Sequence, residues 1–102
     1  MTTASIYRDG DDYTLYVVGH AGYAKHGQDI VCAGISTLCY TLIEFVSQED
    51  QSSEITVDDD SIRVQCTATD DTRYRVQAAY DFAEIGLRLL EQEYPSNIVV
   101  NG

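Results

Sequence analysis

The chain has 102 residues, and 6 Lys and Arg against 17 Asp and Glu leave it a formal charge of −11. That length suits one domain, 1–102, and 44% apolar residues can fill its core without staples. So few cations argue against nucleic acid and against anionic membranes as partners; a basic protein is the partner this charge favours.

No run approaches the ~20 apolar residues of a membrane helix. Met1-Thr2-Thr3-Ala4-Ser5 lacks the basic start and apolar core of a secretory signal, so a cytoplasmic location is expected. The three cysteines, Cys32, Cys39 and Cys66, form no CxxC pair and no zinc-like spacing. They read as reduced thiols, with neither metal nor cofactor implied.

In chain order, Ala4 to Arg8 and Tyr13 to Val18 are runs of strand formers around the turn residues Asp9-Gly10-Asp11-Asp12, which predicts a hairpin. Gly19 to Gln28 carries glycines at 19, 22 and 27 and reads as a mobile loop. From Ile30 the period changes. Val31, Ile35, Leu38, Leu42, Phe45 and Val46 recur at helical spacing up to about Ser47, with Asp29 at the N-cap. Gln48 to Ser53 is a polar connection. Glu54 to Val57 and Ser61 to Thr67 predict a second hairpin around Asp58-Asp59-Asp60.

A second helix is predicted from about Arg75 to Glu93, with Val76, Ala79, Tyr80, Ala83, Leu87 and Leu90 on one face. Pro95 stops it, and Ile98-Val99-Val100 is a last short strand. The order ββαββαβ implies an α+β fold of two layers, a mixed or antiparallel sheet with both helices on one face. The eight tyrosines are expected mostly to pack.

The chemistry concentrates in Gly19 to Leu38, GHAGYAKHGQDIVCAGISTL. With Asp29 as N-cap, Cys32 falls in the first helical turn, where backbone N–H groups and the helix dipole favour a thiolate. His20, at a strand end beside the glycine loop, can return to meet it, and a Cys beside a His is the minimal activated nucleophile. The amides of Cys32 and Ala33 can receive an oxyanion. Asp29 opposes a thiolate unless it orients His20. Singly, each residue also has an ordinary role: Cys32 as core, His20 as a loop side chain, Asp29 as a plain cap. Spacing alone leaves both readings open.

That segment resembles the signature of the bacterial ribosomal-processing cysteine protease family, Prp, in GHA, the following glycine, and DIVCA with a serine four residues after the Cys. The helix stretch GLRLLEQEYP and the order of elements are also similar. The resemblance implies a homodimeric cysteine protease that removes a short N-terminal extension from a ribosomal large-subunit protein during ribosome assembly. It puts the family's catalytic His on His20 and its nucleophile on Cys32. Its aspartate falls on Asp29, its helix serine on Ser36, and its loop glycines on Gly19, Gly22 and Gly27. CAG and Ile35 stand where CAA and Val are commoner, departures at the pocket floor. Tyr23 is placed to gate the cleft, and His26 matches no catalytic position.

Three other functions fit parts of the pattern. One is a non-catalytic, dimeric acidic module that binds a basic ribosomal protein. Another is a thiol redox sensor, with Cys32 resolved by Cys39 or Cys66. The third is a metal site of His20, His26, Asp29 and Cys32, whose spacing fits no standard zinc pattern.

Overall fold

Period-two alternation builds the first hairpin. In the computed structural model, which describes residues 1–49 and 52–102, β1 (Thr2–Asp9) turns at Gly10 into β2 (Asp12–Val18). Ala4, Ile6, Tyr13, Leu15 and Val17 share one face and are buried, because side chains two apart on a strand point the same way. The second hairpin is β3 (Ser53–Val57) and β4 (Ser61–Thr67), and β5 (Ile98–Asn101) ends the chain. Part of the expected polar connection, residues 50 and 51, lies outside the described residues.

The sheet order is β3-β4-β2-β1-β5. Hairpins pair antiparallel, whereas β1 and β5 run parallel from Thr2↔Ile98 to Ser5↔Asn101, so the sheet is mixed. β2 and β4 pair antiparallel from Asp12↔Thr67 to Val18↔Ser61. This rung order brings the end of β2 beside the β3–β4 turn, and the functional cleft forms there.

Helices α1 (Ile30–Glu49) and α2 (Arg73–Glu93) cover the buried face. Val31, Ile35, Cys39, Leu42 and Val46 of α1 meet Val76, Tyr80, Ala83 and Leu87 of α2 and the sheet in one core. A methyl at Gly86 would sit 2.7 Å from Leu38 Cδ2, and one at Gly34 would sit 3.3 Å from Leu90. Those two glycines therefore set how closely the helices approach.

Two expectations need correcting. Ile30–Gln48 does have the length and apolarity of a membrane span, with mean hydropathy 1.7. Its buried stripe faces the sheet and α2, as the apolar side of a core helix does. The tyrosines, moreover, do not mostly pack. Tyr13 and Tyr80 are buried with ring centroids 5.4 Å apart, and the Tyr80 hydroxyl donates to the Val64 carbonyl. Tyr7, Tyr16, Tyr23, Tyr40 and Tyr74 are exposed, as a ring with a polar tip tolerates.

Candidate active site

Asp29 decides where α1 begins. Its Oδ1 accepts the amides of Val31 at 3.0 Å and Cys32 at 2.9 Å, the donors a helix start leaves unpaired. Its Oδ2 accepts the amides of Tyr23 at 2.9 Å and Ala24 at 3.3 Å, so the same carboxylate fastens the glycine loop. Desolvation pushes the Asp29 pKa up. The bonds from the Cys32, Ala24 and Tyr23 amides and the Cys32 thiol outweigh it and hold the carboxyl below its ordinary range.

These bonds change the expected roles. Both Asp29 oxygens are occupied by amides, and neither reaches His20. The Cys32 amide is taken by Asp29 Oδ1, and the Ala33 amide donates to the Asp29 carbonyl at 3.1 Å. Neither is free to bind an oxyanion, because the cap and the first helical hydrogen bond claim them first. The amide that does face the sulfur is Ala21 N–H, 3.4 Å from Cys32 Sγ.

His20 is set by the sheet. Gly19 N–H donates to the Asp60 carbonyl at 2.8 Å, one rung beyond Val18↔Ser61. Gly19 has φ +95°, and a Cβ there would lie 2.6 Å from the Met1 carbonyl oxygen, so only glycine fits. The next residue, His20, then places Nε2 2.8 Å from Asp60 Oδ1. In the sequence Asp60 is only part of a hairpin turn; in the structure it lines the cleft and meets the His20 ring. Its sequence separation from His20 is 40 residues, which no local pattern reports.

His20, Cys32, Ile35, Ser36, Tyr40 and Asp60 line one cleft of about 240 Å³. Cys32 is half-buried and Ser36 stands one helical turn further along the same wall. His26, in the loop, borders the cleft too and is exposed. Tyr23 turns away: its ring stacks edge-on against Tyr94 at 5.2 Å instead of gating the opening. Gly22 and Gly27, at φ +68° and +86°, shape the exposed loop between them.

None of the three cysteines is held in a disulfide. Cys39 and Cys66 are fully buried, and burial pushes the Cys39 thiol up to about 12, so neither offers an accessible resolving thiol. Among the described residues, no group of three or more His, Cys, Asp or Glu is arranged to hold a metal ion.

A family model described as cysteine protease Prp matches residues 1–99. This chain belongs to the Prp family. The Staphylococcus aureus ribosomal processing cysteine protease Prp is 27% identical over 84 residues, 81% of this chain and 79% of the relative. Its Bacillus subtilis counterpart is 40% identical over 48 residues, 45% and 43% of the two chains. A crystal structure of the S. aureus Prp with a covalently linked product peptide superposes with a TM-score of 0.80 at 26% identity, covering 99% of this chain and 98% of that one. Gly34 of the CAG triplet faces Leu90 of α2 instead of the cleft, whereas Ile35 lines the cleft.

Proposed function

We propose that residues 1–102 act as one cysteine endopeptidase domain that removes a short N-terminal extension from a ribosomal large-subunit protein. The observation that carries this reading is a thiol in the first turn of α1 and an imidazole at the end of β2 lining one cleft. The similar S. aureus Prp, solved with a covalently linked product peptide, supports it.

In the reaction, His20 takes the Cys32 thiol proton and Cys32 Sγ attacks the scissile carbonyl. Collapse of the tetrahedral intermediate breaks the C–N bond, and the leaving amine receives the proton from His20. Water then attacks the thioester, giving up a proton through His20, and the thiol is restored with release of the carboxylate. The Ala21 amide, which faces the sulfur, and the Ser36 hydroxyl, on the cleft wall, are the donors assigned to the developing oxyanion. No cofactor or metal enters this scheme. Asp29 holds the nucleophile's backbone and the loop together, and Gly19 delivers His20.

A charge of −11 draws a basic chain end across about one Debye length, ~8–10 Å. A ribosomal substrate places the work in the cytoplasm. The acting unit is a homodimer, paired through the apolar groove of about 390 Å³ between the helices, lined by the half-buried Leu38, Phe45 and Ala79 and by Phe82, which is 74% exposed.

Mass spectrometry of the same organism's ribosomal large-subunit proteins, mature and N-terminally extended, tests the proposal. A single N-terminal cut by wild type that disappears in Cys32→Ala and in His20→Ala is the expected result. An extended protein bound but never cut, with binding unchanged in Cys32→Ser, would establish the non-catalytic acidic module instead.

A further inference from the structure

Resting on the reading of Cys32 and His20 as nucleophile and base, we infer that Asp60 is the positioning residue of the site. Its carboxylate holds the His20 ring with Nδ1 left as the nitrogen that takes the thiol proton.

The chemistry follows from one contact. His20 Nε2 lies 2.8 Å from Asp60 Oδ1. An ionised carboxylate only accepts, so Nε2 carries the hydrogen of this bond and the neutral ring keeps its lone pair on Nδ1. When Nδ1 takes the proton from Cys32 Sγ, a thiolate and an imidazolium form. The Nε2–H bond persists and becomes charge-assisted. No proton passes to Asp60.

Attraction alone would not hold this pair, because the side chains are 68% and 76% exposed. The main chain does. Asp60 uses its carbonyl to accept Gly19 N–H at 2.8 Å and its side chain to accept the ring of the next residue. The turn beneath it is closed by Asp58 N–H donating to the Ser61 carbonyl at 2.8 Å. The other carboxylates near the site are committed elsewhere or make no bond to the ring. Asp29 is filled by backbone amides, and Asp58 accepts from the Ser61 hydroxyl at 3.4 Å.

Iodoacetamide at pH 7 supplies a test that needs no peptide, since the sulfur displaces iodide and forms a thioether. Cys39 and Cys66 are buried, so the intact mass reports Cys32. His20→Ala and Asp60→Ala should each slow alkylation about 10-fold. Asp60→Asn should restore most of the rate, because its amide oxygen also accepts from Nε2–H. Asp71→Ala, in a distant turn, should match wild type. Nitrogen-15 NMR of labelled histidine should show His20 protonated on Nε2 in wild type and in Asp60→Asn, and a mixture of tautomers in Asp60→Ala.

An unchanged rate in His20→Ala would remove the Cys–His pair itself. A slow His20→Ala beside a fast Asp60→Ala with the wild-type tautomer would overturn the role of Asp60 alone. If Asp60→Ala does not fold, the wild-type spectrum decides, and a neutral His20 protonated on Nδ1 overturns the inference.

Discussion

Asp29 accepts the Cys32 amide at 2.9 Å with one oxygen while the other accepts two amides of the glycine loop. The start of α1 and the loop therefore share one fastening, and loosening either moves the nucleophile. Asp29→Ala should lower cleavage about 10-fold, the scale of a small misplacement of a reacting group. It should also expose the loop to trypsin at Lys25, the chain's single lysine. Limited digestion followed by mass spectrometry reads the second effect, and a digestion rate equal to wild type would refute the shared fastening.

Gly19→Ala meets both a positive φ and the Met1 carbonyl oxygen at 2.6 Å. It should cost about 1–3 kcal/mol of stability and displace His20, so urea melts and cleavage should fall together. A melt indistinguishable from wild type would mean the N-terminal strand yields freely.

Cys39→Ala should spare catalysis and cost about 1–2 kcal/mol, because it empties a small volume in the α1 core without touching the cleft. Its thiol, pushed up to about 12 by burial, should resist iodoacetamide at pH 7 in the folded protein. Native-state alkylation of Cys39 would show that α1 opens readily.

Acid should unfold the protein through three carboxyls whose folded pKa values are depressed. Asp11 is held down by its hydrogen bond from Arg73, and Glu84 by its hydrogen bond from Arg88. Asp29 is held down by amide bonds that outweigh desolvation. Each contributes stability that is present above its unfolded value, 3.8 for the aspartates and 4.5 for Glu84, and lost as pH falls through the lower folded value. Tm should be nearly flat from pH 7 to about 5 and drop below about 4. Asp29→Asn should flatten part of that fall.

Phe82→Asp should leave the circular dichroism unchanged, since the ring is exposed, and convert a dimer into a monomer in analytical ultracentrifugation. A wild type that sediments as a monomer at every concentration would remove the groove as a pairing surface.

Most of the architecture is legible because local rules decide it. Ser61–Thr67 alternates and is bounded by acidic turn residues, and Asp29 before an apolar helical stripe marks Ile30 as the first residue of α1. The family motif led to His20 and Cys32 for the same local reason. The Asp60 contact was not legible, because it exists only once β4 lies beside β2, and strand order has no signature in a run of ten residues. The Tyr23 ring contact is equally nonlocal, since its partner Tyr94 sits at the far end of α2. The amides of Cys32 and Ala33 are taken by Asp29 Oδ1 and the Asp29 carbonyl, a division that the residue pattern of a capped helix does not display.

The bond from Gly19 N–H to the Asp60 carbonyl gives the sheet the role of an alignment jig. Slipping β2 against β4 by one residue would turn Tyr13, Leu15 and Val17 out of the core and, in the same movement, carry His20 off Asp60. The imidazole thus inherits its placement from the pairing that buries the core. A population of folded molecules with a misaligned histidine has no cheap way to arise, and quality control of the fold doubles as quality control of the active site.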